Sequence, residues 1–584
     1  MRRRPLSLPA LFLFTIQVVF SGLPGYAQAR EVTVAPGVKF RQERVKGDAG
    51  PLVINILTVN LKEPGIHVET GIAQDITIAD DVTKGRETVA PIAKRHKAVA
   101  AVNGDFFPFT GDPLNIAIRN GEFLSEPMSH RVAMGITADG QVLFDTLLCA
   151  GSLQTPTETM RVDGINRLPG KDEITLLTPA YAARRRTPIT MITAEVSGID
   201  RPIHVNAEQP GRVERVSDGE EDKPIAKGTA ILVGAGTGGA WLNAHLKPTD
   251  NIRLKFLLSP NVLPDKLNKT LFRQREDDLT AKGSSETWSN VENAVGGGPW
   301  LVKDGKQYVD GLAQGMNQKS FTMTRHPRTA AGVTNDGNLL LVAIDGRNTM
   351  SKGTTLPETA DIMLRLGAVY AINLDGGGST TMVVNNLYVN CPSDGSPRPI
   401  ADALLVLQTM ASTSPAKTEK KLSTFNLLAG EESQLTEVWK QMGLGKSLPE
   451  WWGTTNGTGF VDQEGYFVGT HAGAVSVVGV GSVVGTLSIL ISHAAADHIT
   501  ATVKLVEQPD SYALDITVVD KYKNVIPNVM VTVRAKGASP AMSVISTNAK
   551  GKGTLTLSWP LGVKENIVLT APDLPVLEVK RPTP

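Results

Sequence analysis

An internal repeat most strongly limits how this chain of 584 residues can fold. Residues 98–105 (AVAAVNGD) and 368–375 (AVYAINLD) share five identities in eight positions. Residues 131–144 (RVAMGITADGQVLF) and 328–341 (RTAAGVTNDGNLLL) both read Arg-x-Ala-x-Gly-[Ile/Val]-Thr-x-Asp-Gly. Because self-similarity marks a repeated supersecondary unit, we predict a unit of strand, Asn/Gly loop, strand, turn, Arg and strand.

Shorter matching segments lie between these longer ones. AVNGDFF from Ala101 matches AVGGGPW from Ala294, and IRNGE from Ile118 matches VKDGK from Val302. A third, weaker copy runs from AINLDGGG through VVNNLYV to Arg398-Pro399-Ile400-Ala401. The unit is therefore predicted three times in one domain, with similar loops at one end, where functional residues collect.

Strand signals dominate the chain, as short β-branched runs bounded by Gly, Asn-Gly and Asp-Gly. Two helices are predicted. One covers residues 87–98, and the other follows Thr355, which forms a capping box with Glu358 and ends near Gly367. The predicted fold class is an α+β catalytic domain over residues 30–410, β-rich with internal strand-loop-strand repeats and few helices.

The composition changes after residue 410. Residues 411–422 are rich in Ser, Thr, Pro and Lys and are predicted to be a linker. Short alternating strands over residues 423–494 and 495–584 then suit two small β-sandwiches. Trp451 and Trp452 in the first of them fit either core packing or sugar display.

Residues 1–29 have the pattern of an export signal, with three arginines, an apolar run and an Ala-x-Ala site. No stop-transfer pattern follows, so no transmembrane segment is expected after signal removal. Removal takes three Arg and no acid from 59 basic and 58 acidic residues, leaving 56 and 58, a formal charge of −2. This balance does not indicate a nucleic-acid partner. Cys149 and Cys391 allow one disulfide, which their spacing does not decide.

The stretch AINLDGGGSTTMVV contains the strongest candidate site. Asp375 before Gly376 fits an ordinary turn, but three consecutive glycines also allow close approach to a ligand. The amides of Gly376, Gly377 and Gly378 and the hydroxyl of Ser379 could hold an anion. Asp105 occupies the matching position in the first repeat, so two strand-end carboxylates would face one cleft, as glycosidic hydrolysis requires.

Other candidates surround these carboxylates. Asn103 and Asn373 fit either strand-end caps or partners of sugar hydroxyls and phosphate. Arg328 fits either a surface ion pair or recognition of phosphate by its guanidinium. Further candidates for the cleft are His326, Asp345, Arg347 and Ser351.

Metal and nucleophilic-serine signatures are weak or missing from the sequence. No G-x-S-x-G motif and no His/Cys cluster with zinc spacing is present. The Asp/Asn-rich loops allow Ca²⁺, although no EF-hand pattern exists. No cofactor is expected to be required.

In their order along the chain, AVNGDFF, AVGGGPWLVKDG, RHPRTAAGVTNDGNLLLVAIDGR, SKGTTLPETADIMLRLGA and AINLDGGGSTTMVV resemble the phosphodiester glycosidase family. The resemblance covers roughly residues 50–408 and is densest over 294–384. It implies hydrolysis of the glycosidic bond in a sugar-phosphate diester, releasing the sugar and a phosphomonoester. Asp375, Asp105 and Arg328 are then the expected catalytic residues, and the other candidates named above are expected to bind substrate.

The family's closing motif is usually an acid before Arg-Pro, whereas this chain has Pro397 before Arg398. The tail resembles bacterial Ig-like modules, and DKYKNVIPNVMVTVRAKG resembles the invasin-type repeat. Together with the signal peptide, these modules predict a protein of the bacterial periplasm, cell surface or exterior that acts on envelope or extracellular glycoconjugates. The alternative is a non-catalytic carbohydrate-binding or adhesion protein of the cell envelope.

Overall fold

The computed structural model describes most of the chain. The described residues are 30–80, 85–108, 110–183, 190–199, 202–219, 223–261, 286–410, 418–441, 448–506, 510–560, 562–563 and 565–580. The predicted signal peptide, residues 1–29, and residues 411–417 of the predicted linker lie outside these ranges.

Three sheets contain the repeated units. In spatial order, the strands of the first sheet are β1 (Glu31–Ala35), β2 (Val38–Gly47), β3 (Gly50–Asn60), β21 (Asn338–Ile344), β20 (Arg328–Thr334), β22 (Ala368–Asn373), β18 (Trp300–Lys303) and β19 (Lys306–Gln307). Those of the second are β11 (Gly164–Ile165), β12 (Ile174–Leu177), β15 (Gly228–Ala235), β13 (Met191–Ile199), β14 (Glu208–Asp218), β16 (Asn251–Pro260), β9 (Val142–Gln154), β8 (Val132–Thr137), β17 (Val291–Gly296), β6 (Ala117–Arg119) and β7 (Glu122–Ser125), with β10 (Thr159–Val162) paired to β9. Those of the third are β26 (Thr418–Leu428), β32 (Val483–Ser492), β31 (Gly473–Val480), β28 (Trp451–Thr454), β24 (Leu387–Tyr388), β23 (Met382–Val384), β5 (Ala100–Asn103), β25 (Asp402–Gln408) and β4 (Ile66–Ile72).

Each repeated unit is a first strand, a hairpin and a final strand. The units are β5 with β6–β7 and β8, then β17 with β18–β19 and β20, then β22 with β23–β24 and β25. The first strand of each unit lies between the hairpin and the final strand of another unit: β17 between β6 and β8, β22 between β18 and β20, and β5 between β23 and β25. The three units therefore exchange strands in a closed cycle, and none completes its own sheet.

The strand register shows which residues are equivalent. In the three final strands Ala133, Ala330 and Ala403 pair with Gly296, Asn373 and Asn103, respectively. Two residues further on, Asp105, Gly298 and Asp375 are equivalent, as the sequence comparison predicts for the two aspartates.

The same register corrects the alignment of Arg398 in the third copy of the repeat. Two residues before the paired alanines, the equivalent of Arg131 and Arg328 is Ala401. Arg398, which the sequence comparison aligned with these arginines, lies three residues earlier, in the loop before β25.

A large apolar core lies between the first and third sheets, with residues of β8, β9 and β17 from the second sheet, and contains Phe40, Leu57, Leu341 and Leu404. A second core lies within the second sheet, around Phe123, Phe256 and Trp288. The helices of the described chain are α1 (Val89–Arg95), α2 (Gly236–His245), α3 (Leu356–Arg365) and α4 (Leu435–Gln441). The two predicted helices are present as α1 and α3, and α3 has the predicted capping box of Thr355 and Glu358.

The first C-terminal module, residues 418–492, is joined to the repeat-containing domain by a continuous sheet. Its strands β28, β31, β32 and β26 extend the third sheet, and the pair Tyr388 and Thr454 connects β24 to β28. Strand β26 begins at Thr418, so the predicted linker 411–422 is strand from residue 418 onward. The module also has the small sheet β27 (Glu432–Gln434), β30 (Tyr466–Val468) and β29 (Phe460–Val461).

The second C-terminal module, residues 496–579, has two small sheets around a core that includes Leu514, Val533 and Trp559. Their strands are β33 (Ala496–Leu505), β34 (Ser511–Asp520) and β37 (Lys552–Ser558), and β36 (Met542–Ser546), β35 (Met530–Arg534), β38 (Ile567–Thr570) and β39 (Leu577–Val579). That these modules are two Ig-like sandwiches stays a prediction.

Trp451 and Trp452 of the first module are 4% and 1% exposed, so they pack in the core and are not displayed for sugar binding.

Cys149 and Cys391 are not joined to each other. Across the described helices, none is long and apolar enough to span a membrane.

Candidate active site

The loops that follow the first strands of the three units meet at one end of the domain. The Gly298 amide donates to the Asn373 carbonyl (2.7 Å), and the Asp375 amide donates to the Gly104 carbonyl (3.0 Å). The Gly104 amide in turn donates to the Asp402 carbonyl (2.9 Å). Because these bonds cross from unit to unit, the strand exchange itself brings the candidate residues of distant repeats together.

Asp105 is a buried carboxylate at the end of β5, with an exposed fraction of 1%. Its two oxygens accept the amides of Phe106 (2.7 Å) and Asn115 (2.9 Å). Burial and then the charge of Asp402 raise the pKa of Asp105 well above its ordinary value, while these amides and the Arg131 charge oppose the rise. The environment therefore favours the protonated form of Asp105 more than water does.

Asp402 is a second buried carboxylate, at the start of β25, that the sequence analysis missed. Its Oδ1 accepts the Asp105 amide (2.7 Å), while Oδ2 has no hydrogen-bond partner among the described residues. Burial raises the pKa of Asp402 to about 7, and the charge of Asp375 contributes to the rise. Gly104 is required here, because a Cβ at that position would collide with Asp402 Oδ1.

Asp375, the third carboxylate, keeps some contact with solvent, whereas Asp105 and Asp402 are buried. Burial by the surrounding protein raises its pKa to about 6, opposed by the Ser379 hydroxyl and the Arg398 charge. Its Oδ1 accepts the Gly376 amide (2.9 Å). Three carboxyl groups with raised pKa thus lie together, in the arrangement that acid and base chemistry uses.

The glycine loop after Asp375 forms a short 3₁₀ turn, Gly377–Ser379. The Gly377 amide donates to the Pro327 carbonyl (2.9 Å), and the Ser379 amide donates to the Gly376 carbonyl (3.2 Å). With the Gly376 amide on Asp375, these three amides already have partners inside the protein. The loop fits closely against its surroundings, since a Cβ at Gly378 would collide with Arg398 and Asp394.

Asn103 and Asn373 tie the units together. Asn103 Nδ2 donates to the Asp375 carbonyl (2.7 Å), while its Oδ1 accepts the Thr329 hydroxyl (2.7 Å) and the Thr381 amide (3.0 Å). Asn373 Nδ2 donates to the carbonyls of Gly298 (2.9 Å) and Leu374 (2.7 Å). Both side chains tie strand ends together, and their contact with a sugar hydroxyl or phosphate stays a prediction.

Arg328 is 1% exposed and its guanidinium is held by main-chain carbonyls. Nε donates to Thr354 O (3.0 Å), and Nη2 donates to Phe321 O (2.7 Å) and Thr324 O (2.9 Å). Burial, with the neighbouring Arg347 charge, lowers its pKa to about 10. This buried side chain fixes the loops around the glycine turn.

Arg347 and His326 flank the glycine loop. Arg347 is exposed, and its guanidinium lies beside Gly377. Its Nη2 donates to His326 Nδ1 (2.8 Å), so His326 carries its proton on Nε2, which faces Ser320 O at 3.1 Å. Burial and the charges of Arg328 and Arg347 lower the pKa of His326, so the ring is neutral at pH 7.

Asp345 and Ser351 lie behind the site and hold the backbone. Asp345 Oδ1 accepts Asn390 Nδ2 (3.2 Å) and the Cys391 amide (3.1 Å), and burial raises its pKa to about 7. The Ser351 hydroxyl donates to Asp345 O (2.5 Å) and accepts the Val53 amide (3.1 Å). Both side chains hold the backbone around the site, and their binding of substrate stays a prediction.

Several buried polar atoms near the strand ends have no hydrogen-bond partner among the described residues. They are Arg131 Nε and Nη1, Asn373 Oδ1, Thr380 Oγ1, Thr381 Oγ1 and Asp402 Oδ2. In the described part of the chain, no group of three His, Cys, Asp or Glu side chains is arranged to hold a metal ion.

Comparison with known proteins finds similarity in the second half of the repeat-containing domain. The phosphodiester glycosidase family model matches residues 247–407. Over 130 residues the chain is 36% identical to the SPbeta prophage-derived uncharacterized protein YomE of Bacillus subtilis, covering 22% of this chain and 18% of that protein. Over 142 residues it is 32% identical to N-acetylglucosamine-1-phosphodiester alpha-N-acetylglucosaminidase of Bos taurus, covering 22% and 27%. The chain spans less than a third of the length of either relative.

Two solved structures share the fold. A protein from Synechocystis matches with a TM-score of 0.51 at 20% identity, over 65% of this chain and 64% of that one. A protein from Burkholderia pseudomallei matches with a TM-score of 0.50 at 20% identity, over 66% and 97%. The part of the chain that matches the phosphodiester glycosidase family model, residues 247–407, contains Arg328, Asp375 and Asp402.

Proposed function

We propose that this protein is an exported hydrolase that cleaves the glycosidic bond of a sugar-phosphate diester, releasing the sugar and a phosphomonoester. The observation that carries the proposal is the cluster of Asp105, Asp375 and Asp402, because buried carboxyl groups with raised pKa are typical of glycosidic hydrolysis. The family match supports the class of bond, and the bovine relative acts, by its name, on an N-acetylglucosamine-1-phosphodiester.

In the proposed reaction Asp375 acts at the anomeric carbon. With a pKa of about 6 it is mostly ionised at pH 7, and it is the carboxylate that solvent reaches. As a base it takes a proton from water while the water oxygen bonds to C1, or as a nucleophile it bonds to C1 first. In either case the C1–O bond breaks and its electron pair leaves with the phosphate oxygen.

The Asp105–Asp402 pair supplies the proton that the leaving phosphate oxygen can take up. Its two carboxyl groups lie close enough for the Asp402 charge to raise the pKa of Asp105, so the pair retains a proton near neutral pH. A phosphomonoester is a weakly basic leaving group, so the reaction depends less on a strong general acid than on charge stabilisation at the phosphate.

We further propose that the protein works outside the bacterial cytoplasm, in the periplasm, at the cell surface or beyond it, on envelope or extracellular glycoconjugates. The pattern of residues 1–29 and the two C-terminal modules support this location.

The experiment incubates the purified protein with UDP-sugars and with methyl phosphodiesters of sugar 1-phosphates, and measures released sugar. We expect hydrolysis by the wild type and a loss of about 10²–10⁴-fold in kcat/KM for Asp375→Asn. The matched control is Asp336→Asn, because Asp336 is exposed in the turn at the opposite end of the β20–β21 hairpin.

Two results would count against the proposal. If the wild type releases no sugar yet binds glycans, the protein is the carbohydrate-binding alternative. If Asp375→Asn hydrolyses the substrate at the wild-type rate, the assignment of Asp375 is wrong.

A further inference from the structure

Two arginines occupy equivalent positions in the repeated units, one before β8 and one at the start of β20. Arg131 and Arg328 both lie two residues before the alanines that define the register, Ala133 and Ala330. Each guanidinium lies over an aromatic ring: Arg131 over Phe106 at 5.4 Å and Arg328 over Phe321 at 5.3 Å.

The two rings also touch, so the arginines belong to one arrangement. Phe106 and Phe321 meet edge to face with centroids 5.8 Å apart. Arg131 and Phe106 belong to the first unit, and Phe321 and Arg328 belong to the second. These four side chains therefore form one row that joins the two units.

The two arginines differ in whether their donors have hydrogen-bond partners. Arg328 donates to three main-chain carbonyls. Arg131 is half-buried, and its buried Nε and Nη1 have no hydrogen-bond partner among the described residues. A buried donor without a partner is costly, so this arrangement suits a ligand that supplies the acceptors.

Asp105 is not that acceptor. The Arg131 charge is close enough to lower the pKa of Asp105, but both Asp105 oxygens accept main-chain amides instead. The unpaired donors thus lie beside the carboxylate cluster, where a negatively charged group of a substrate would be held.

We propose that Arg131 is the anion-binding residue of this site and takes the phosphate oxygens of the substrate, while Arg328 is a positioning residue; this rests on the proposed function. A guanidinium donates two parallel hydrogen bonds to a phosphate from Nε and Nη2 or from Nη1 and Nη2, and either pair includes one of the two unpartnered donors of Arg131. The pseudo-equivalent arginines have therefore divided into one that binds the ligand and one that holds the loops.

The first test measures binding of inorganic phosphate to the full chain by titration calorimetry. We expect Arg131→Gln to weaken phosphate binding by about 10–100-fold, as for loss of charged hydrogen bonds, and Arg131→Lys to fall between it and the wild type. Arg534→Gln, a change at an exposed residue of the second C-terminal module, is the matched control and should bind as the wild type does. Wild-type affinity in Arg131→Gln would overturn the proposal.

A second test needs no variant, in case both substitutions impair folding. Phenylglyoxal labelling of the wild type, mapped by peptide mass spectrometry, should be slowed at Arg131 by phosphate and unchanged at Arg534. Equal labelling of Arg131 with and without phosphate would overturn the proposal.

The outcomes separate this proposal from the proposed function. Phosphate binding through Arg131 without any sugar release would refute the hydrolase and retain the anion site. Sugar release with an unchanged KM for the phosphodiester in Arg131→Gln would retain the hydrolase and refute the role of Arg131.

Discussion

At the scale of single residues, three neighbouring carboxyl groups decide the charge of the site. Burial raises the pKa of Asp375 to about 6 and that of Asp402 to about 7, and the pKa of Asp105 lies well above its ordinary value. Like charges in one buried site oppose each other, so the cluster does not carry three negative charges at pH 7. Its protons are lost in steps that belong to the cluster as a whole.

This charge pattern predicts a bell-shaped pH profile. We expect kcat/KM to rise as the pH increases through about 6, because Asp375 must lose its proton before it can act as base or nucleophile. It should fall as the pH increases beyond about 7, because the Asp105–Asp402 pair then loses the proton it supplies. A series of kcat/KM measurements against pH tests both limbs. Asp336→Asn should keep them, and a rate that is flat between about pH 5 and 8 would contradict the assignment.

Arg328 predicts a separate result, on stability. Replacing it by Lys keeps the charge but places all donors on one nitrogen, whereas Arg328 reaches Thr354 O from Nε and the carbonyls of Phe321 and Thr324 from Nη2. We expect Arg328→Lys to lower the free energy of unfolding by roughly 3 kcal/mol, because buried acceptors lose their partners. Denaturant unfolding measures this change, with Arg534→Lys as the control. Unchanged stability together with lost activity would show instead that Arg328 acts on the substrate.

At the scale of elements, the repeated unit was predictable because its signals are local. The matches between residues 98–105 and 368–375, and between the segments at Arg131 and Arg328, predicted equivalent strands, and the register confirms that equivalence. The exchange of β5, β17 and β22 between units was not predictable, because it pairs strands far apart in the chain and leaves no local pattern.

Two site residues were missed for physical reasons. An Asp at the start of a strand has the same local sequence pattern as a turn residue. Asp402 is distinguished only by its hydrogen bond with the Asp105 amide, which joins residues far apart in the chain. Arg131 was seen only as part of the repeat, because nothing local distinguishes it from Arg328. The bonds that do distinguish them come from Phe321 and Thr324, which precede only Arg328.

Asn103 predicts how strongly the units depend on one another. Its side chain bonds to Asp375 O, to the Thr329 hydroxyl and to the Thr381 amide, all in other units. We expect Asn103→Ala to lower the free energy of unfolding by roughly 2–4 kcal/mol and to lower kcat, because the backbone of Asp375 loses its tether. Unfolding and steady-state kinetics measure the two effects. The control is Asn338→Ala, at the far end of β21, and equal effects of both changes would refute the tether.

At the scale of the whole molecule, the first C-terminal module touches the loop that borders the site. The His471 ring lies directly over Gly395, and Pro397 packs against Gly457. The next residue of the loop after Pro397 is Arg398, which donates to the Ser379 hydroxyl (3.3 Å) and lowers the pKa of Asp375. We therefore expect the module to affect the site through the position of the Arg398 guanidinium.

The second C-terminal module reaches the same loop through the first. Asn524 Nδ2 donates to Thr470 O (2.8 Å), and Asn524 Oδ1 accepts the Ala472 amide (2.8 Å). These bonds hold the residues on both sides of His471. The contacts thus run from Asn524 to residues 470 and 472, and from His471 to Gly395 in the loop that carries Arg398, so we expect each module to affect catalysis to a different degree.

Truncation tests this order. A chain that ends at residue 410 loses β28, which pairs with β24, and the contacts of His471 and Gly457 with the loop. We expect it to be unstable and to lack activity, because the apolar core between the first and third sheets includes Trp451, Val478 and Val480. A chain that ends at residue 494 keeps the first module, so it should fold and show kcat/KM lower by roughly 2–10-fold, as expected when a catalytic group is held less precisely. Thermal unfolding and kcat/KM of the two truncated proteins, beside His471→Ala in the full chain, measure the effect. Full activity of the chain that ends at residue 410 would show that the catalytic domain needs neither module.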